Sequence, residues 1–171
     1  MDNNQLSPNS LAFIALANEY CSAIEKASEF DKPDFLVQML KLLPRIYISA
    51  SDINIKESSV EYYVEPYLDE DVYNNVRCNI AALMAEDDVF LETFEEDMKY
   101  SDTPVSATIS EDLADIYQEL YNLVASVRDV DNEAIRSILI TCKEDFATFW
   151  GQTLCNVLRA LHSAFYNHDQ Q

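Results

Sequence analysis

Apolar positions recur at helical spacing along almost the whole chain, three or four residues apart, so one face of each segment is apolar. Behind a polar head, Phe13, Leu16, Ala17, Tyr20, Ile24 and Ala27 repeat in this way, with Ser10 standing where an N-cap belongs. A second helix opens with Asp31 and Pro33 and turns Phe35, Leu36, Met39, Leu40, Leu43 and Tyr47 inward. Pro44 lies inside that pattern and is expected to kink or divide the helix, because it lacks an N–H and crowds the preceding turn. Val72, Val76, Ile80, Leu83 and Met84 predict a third helix, and "DVFLETFEE" a short fourth. Thr108 followed by Glu111 fits a capping box for a fifth, whose apolar face is Leu113, Ile116, Tyr117, Leu120, Val124 and Val127. A last element starts near Asp131 and runs to about Tyr166.

In that last element Ile135, Ile138, Leu139, Cys142, Phe146, Phe149 and Trp150 continue into Leu154, Val157, Leu158, Leu161 and Phe165. The band is too broad for a surface helix, which predicts a central one. It also holds the chain's only tryptophan, Trp150, and its only glycine, Gly151. A glycine inside a helix costs about 1 kcal/mol relative to alanine. Close packing against a neighbour is the first explanation for placing it there. The alternative is a notch through which a small molecule reaches a pocket at Trp150, Gly151, Arg159 and His162.

Strand signals are weak: "RIYIS" and "INI" are short and have no evident pairing partner. The pattern as a whole predicts an all-α fold, a single-domain helical bundle of about six helices with a long central C-terminal helix. The domain spans 1–171, with frayed tails at 1–9 and 168–171 and irregular connections at 48–69 and 98–108.

Composition narrows the function classes. With 171 residues the chain is one domain in size and able to bury a sizeable core, and 49% hydrophobic content argues against disorder despite a net charge of -20. One glycine excludes glycine-rich phosphate loops and the EF-hand calcium loop. Residues 146–168 carry few charges, but Gln152, Asn156, Arg159 and His162 interrupt them too often for a membrane span. Cys21, Cys78, Cys142 and Cys155 form no close pair and fall in apolar patterns, so they are expected as buried, reduced thiols. With no signal segment at the N-terminus, a cytoplasmic location is expected.

Charge is unevenly placed. Residues 61–133 hold 20 acids and 3 bases, most of the excess. This disfavours nucleic acid, whose binding needs lysine and arginine, and favours a basic protein or peptide, or a metal. Within it, "VEYYVEPYLDEDVY" interleaves tyrosines with carboxylates. Tyr62, Tyr63, Tyr67, Asp69, Glu70 and Asp71 form a candidate face for lysine or arginine, by charge and by cation–π contact. In the competing reading the tyrosines fold inward as a lid while the acids face water. A second acidic run supplies Glu92, Glu95 and Glu96, and the fifth helix carries Asp112, Asp115 and Glu119 on one side, opposite its apolar face. Carboxylates so spaced suit a magnesium-dependent hydrolase, although the three bases of the segment are few for a phosphate substrate.

Catalytic constellations are otherwise absent from the pattern. His162 and His168 form no helical metal pair, and His162 reads as a core histidine bonded to a carbonyl, the usual case, or as one paired with an acid. Cys155 lies two helical turns from His162, too far for a nucleophile and its base. Arg159, alone on an apolar helix, is expected to reach a carboxylate of another helix if its head is buried.

"VYNNVRCNIAALMAEDDVFLE" followed by "FWGQTLCNVLRALH" resembles a family of short, acidic, all-helical bacterial proteins classed as a domain of unknown function. The resemblance spans most of the chain. It implies a single helical domain in bacterial cytoplasm, with no assigned activity and no catalytic residues to carry over. Three function classes follow from the residues: a protein-interaction or regulatory module, monomer or homodimer, that docks a basic partner; a magnesium-dependent hydrolase; and a small-molecule binder near Trp150. No resident cofactor is expected.

Overall fold

The structure, a computed structural model that describes residues 5–92, 96–100 and 102–167, is a helical bundle with one two-stranded ribbon. In chain order come α1 (Pro8–Glu25), α2 (Lys32–Ser51), α3 (Glu70–Met84), β1 (Val89–Leu91), β2 (Ser106–Thr108), α4 (Ile109–Ser126), α5 (Asn132–Asp145) and α6 (Gly151–Tyr166). A π turn, Phe146–Trp150, joins α5 to α6, so the two form one rod without a break. Among the described residues no helix is long and apolar enough to cross a membrane.

Side-chain caps set the helix starts. Ser7, Asp69, Thr108 and Asp131 each accept from a backbone N–H of the first turn they precede, donors that the helix itself leaves without partners. Ser10 is therefore not the N-cap of α1: it is buried in the first turn and donates its N–H to the Ser7 hydroxyl at 3.0 Å. Pro44 does not divide α2, which continues through "RIYIS" to Ser51 because Leu43, Ile46 and Ala50 keep the helical burial rhythm. The irregular connection accordingly begins after Ser51.

The short fourth helix is not formed. Val89–Leu91 pair antiparallel with Ser106–Thr108, with Phe90 opposite Ala107, and Glu92 extends the pairing through its N–H to the Val105 carbonyl at 2.8 Å. Residues 93–95 of that predicted helix lie outside the described residues. The connection from 98 also gains order, with a 3-10 turn at Glu96–Lys99 and strand β2.

One hydrophobic cluster runs through every helix, from Phe13 of α1 to Ala164 of α6. Helix α4 is its hub, packed on α1, α3, α5 and α6, while α6 lies between α2 and α4. Two phenols fasten α1 to α4: Tyr20 donates to the Leu113 carbonyl at 2.7 Å, and Tyr117 donates to Glu25 at 2.9 Å. Tyr47, Val72 and Phe149, expected inside, are 39%, 43% and 46% exposed.

The rod explains the broad apolar band. At 3.6 residues per turn each residue advances about 100°, and on that count the buried face of α6 (Leu154, Val157, Leu161) falls roughly 130° round from that of α5 (Ala134, Ile138, Cys142). The π turn, closed by the Gly151 N–H on the Phe146 carbonyl five residues back, accommodates one extra residue, removes about 100° of that difference and brings the two faces close to line. The band is thus two ordinary stripes with a phase step between them. The rod is not buried on most sides: Phe149, Gln152, Cys155, Arg159 and His162 are all exposed.

Candidate functional site: the tyrosine strap

Residues 52–69 cross α5 and α4 as a strap without helix or strand. Its backbone is held by side chains. Lys143 of α5 donates to the carbonyls of Ser51 and Ile53, and Ile53 is buried. One Glu133 carboxylate oxygen accepts from the Ser59 N–H at 2.6 Å and from the hydroxyls of Ser58 and Ser59 at 3.0 Å each. The Ser137 hydroxyl oxygen accepts from the Tyr62 N–H at 2.9 Å, and Asn122 of α4 accepts from the Leu68 N–H at the same distance. Val64 and Leu68 pack half-buried against the core. These bonds pin the irregular segment to the helices at its start, middle and end.

The strap turns its aromatic rings outward. Tyr63 and Tyr67 are 68% and 56% exposed and Tyr62 is 41% exposed, so for these three the inward-folded lid is not what forms. Together with Glu61, Glu65 and Pro66 they line an open hollow of about 610 Å³. Tyr73 alone turns in, its hydroxyl donating to Asp115 at 2.6 Å, and burial followed by that bond raises its pKa. Asp69, Glu70 and Asp71 are exposed but begin α3, where Asp69 accepts from the Asp71 N–H at 2.8 Å and all three face the positive helix end.

Glu133 is the electrostatic centre of the latch. The Ser59 N–H, then the Ser59 and Ser58 hydroxyls, hold its carboxyl below the ordinary glutamate range, since each bond favours the charged form. Arg136 stands 3.7 Å from its other oxygen.

The remaining expected sites are built differently. Trp150 is fully buried, edge-on to Phe146 at 4.7 Å and stacked with Phe13 at 6.4 Å. A Cβ on Gly151 would stand 2.5 Å from the Phe146 carbonyl oxygen and 2.9 Å from its ring, so the glycine makes room for Phe146. Arg159 is exposed, so the condition for a carboxylate partner is not met, and it donates to the Leu91 carbonyl of β1. His162 is exposed too, its ring 4.6 Å from that of Tyr166, and not a core histidine. The four residues do not enclose a common pocket: two lie in the core and two on the surface.

The acids once grouped as metal ligands serve separate contacts. Asp115 holds Tyr73, and on the same side of α4 Asp112 and Glu119 are half-buried rather than solvated. Burial, then Asp145 and Asp115, pushes the Glu119 carboxyl up. Glu92 is buried beside β1, while Glu95 and the Glu96 side chain lie outside the described residues. Among the described residues no three acids, cysteines or histidines converge as a metal site. Cys21 and Cys142 are buried as expected, but Cys78 and Cys155 are exposed, and all four are free. Burial pushes the Cys21 thiol up to about 12 and raises that of Cys142, with Glu119 and Asp145 adding to the latter. Thiols so placed stay protonated and unreactive.

Comparison with known proteins decides the family. The model of a domain of unknown function, DUF5063, matches residues 4–167. The chain belongs to this family. It is also similar to protein BF1032 from Bacteroides fragilis, whose crystal structure matches with a TM-score of 0.82 at 32% identity over 96% of this chain and 97% of that one. No curated protein matches. DUF5063 is a domain of unknown function, so a site must be read from the side chains themselves.

Within this DUF5063 chain the sequence reading missed the residues that make the strap a unit: Asn122, Glu133, Ser137 and Lys143. Their partners are backbone groups and serine hydroxyls 54 to 92 residues away, which no local pattern reveals. Asp88 was missed likewise. It is buried and accepts from both the Ser110 N–H and hydroxyl at 2.8 Å, adding a second cap to α4 from across the ribbon.

Proposed function

We propose that the protein is an interaction module whose strap docks a basic partner. The observation that carries the reading is that Tyr62, Tyr63 and Tyr67 point to solvent from a backbone anchored by α4 and α5. Exposed apolar rings on a fixed scaffold offer contact area at low ordering cost, and tyrosine is enriched where proteins meet. The strap carries five carboxylates and one lysine, so its field selects positive partners and speeds their encounter.

The test uses substitutions that spare the helix cap. Reversing Asp69 would remove the cap of α3, whereas Glu61 and Glu65 are exposed strap residues. The 171-residue protein is immobilised and partners from native lysate are eluted in a salt gradient. A basic protein retained by the wild type, released by salt and lost with Glu61→Lys/Glu65→Lys supports the reading. Equal retention by the charge-reversed variant overturns it.

A further inference from the structure

One edge of the ribbon carries no third strand among the described residues. In an antiparallel pair the hydrogen-bonding direction alternates along each strand. Glu92 bonds to Val105, so Phe90, two residues back in the same register, also turns its backbone to β2. The N–H and C=O groups of Val89 and Leu91 therefore point the other way, and the Leu91 carbonyl accepts there from Arg159 of α6. Between this edge and α6 lies a hollow of about 430 Å³, lined by Glu86, Val89 and Phe90 on one side and by Arg159, Ala160 and Ala164 on the other. Paired strands lie about 4.8 Å apart, and what crosses the hollow is the side chain of an arginine, with only alanines beneath it.

The edge is held in place from both ends. Ala85, which turns the chain out of α3, has φ 51° and ψ -124°, a conformation strained for a residue with a Cβ. Such strain persists where the surroundings enforce it, and it gathers at ligand clamps. Lys32 enforces it here, donating to the Met84 carbonyl at 2.9 Å and pairing with Asp87. Asp88 is tied to Ser110 at 2.8 Å. The hollow is also electrically polarised: Glu86 is exposed beyond Val89, whereas Arg159 stands beside Leu91 and has no carboxylate partner among the described residues.

We infer that β1 accepts an extended peptide segment as an antiparallel third strand, running from an acidic residue at Arg159 to a basic residue at Glu86. The antiparallel direction is the more stable per residue. Peptide residues opposite Val89 and Leu91 exchange backbone bonds with β1, which supply affinity without regard to sequence. The residue between them, opposite Phe90, turns inward as Phe90 does and sits on Ala160 and Ala164, so it is apolar. The charges at the two ends then fix direction and register. Because the edge is fixed before the peptide arrives, little ordering cost falls on the binding step. This surface shares no residue with the strap.

Titration of the 171-residue protein with acetylated, amidated Glu-Thr-Val-Thr-Lys, followed by amide NMR, tests this. The Val89 and Leu91 amide resonances are expected to shift to saturation and their hydrogen exchange to slow. An analogue N-methylated at both threonines should bind about fivefold or more weakly, the scale of two lost hydrogen bonds. The charge-exchanged peptide Lys-Thr-Val-Thr-Glu should bind about threefold more weakly, the scale of exposed ion pairs, and Arg159→Gln/Glu86→Gln should remove that difference. Unmoved Val89 and Leu91 resonances at several millimolar peptide, or equal binding of the N-methylated or the charge-exchanged peptide, overturns the inference. So does protection of both amides in the free protein that vanishes on dilution, which would put a second copy of this chain on the edge. Loss of binding with Glu61→Lys/Glu65→Lys would place the peptide on the strap and overturn it as well, whereas unchanged binding keeps the two surfaces separate.

Discussion

A glycine-to-alanine change inside a helix ordinarily stabilises it by about 1 kcal/mol; at Gly151 the expected sign is the opposite. The added Cβ meets a backbone carbonyl at 2.5 Å, and backbone cannot swing away as a side-chain tip can. Gly151→Ala is expected to destabilise the protein by about 1–3 kcal/mol, the range of overpacked cores, read as a lower urea midpoint by circular dichroism. An unchanged or higher midpoint would show that Phe146 yields. Glu133 makes a second residue-scale prediction. Its folded pKa lies below its unfolded one, so its contribution is present above the ordinary value of about 4.3 and is lost as pH falls through the lower folded value. The Ser59 amide resonance should move with a midpoint below that ordinary value, and Glu133→Gln should flatten the curve; a midpoint above it would contradict the latch. Of these two residues the chain announces one. A lone glycine in a helix invites the question of what it makes room for, whereas Glu133 looks like any acid of a first helical turn until Ser58 and Ser59 are seen beside it.

Among the elements, the π turn has the widest effect on packing. Deleting Thr148, which is exposed, leaves the core composition untouched but removes the extra residue, so α6 would be rotated about 100° against α5. The deletion is expected to cost more than the truncation Thr148→Ala by several kcal/mol and to broaden or abolish the cooperative urea transition. Near-equal midpoints for the two would mean that the rod absorbs the phase change elsewhere. The helices themselves were legible, because amphipathic repeats and caps such as Thr108 and Asp131 are local signals. The ribbon was not: Val89–Leu91 and Ser106–Thr108 are three residues each and pair across a long excursion, and the short apolar run at 88–94 fits a helical period as well as a strand. The phase step was hidden for a different reason. Counting at one fixed period converts a shift in register into apparent breadth, so a two-stripe rod reads as a helix buried all round.

For the molecule as a whole the charge of -20 is the dominant electrostatic fact. The described ion pairs, Lys32–Asp87 and Arg136–Glu133, neutralise little of it. Self-repulsion opposes compaction and is screened by salt. The melting temperature is therefore expected to rise by several degrees between about 10 and 200 mM sodium chloride at pH 7, and a flat or falling curve would show that attractive pairs outweigh the repulsion. The candidate face was visible in the sequence as tyrosines among acids. Which way the rings point was not, since outward tyrosines and an inward lid share one composition and differ only in what α4 and α5 do to the strap's backbone. The full burial of Trp150 has a practical side. A single indole, sealed between Phe13 and Phe146 at the phase step of the rod, makes the protein its own optical reporter. Its emission will stay blue while the helices keep register and turn red when they lose it, whatever binds at the surface.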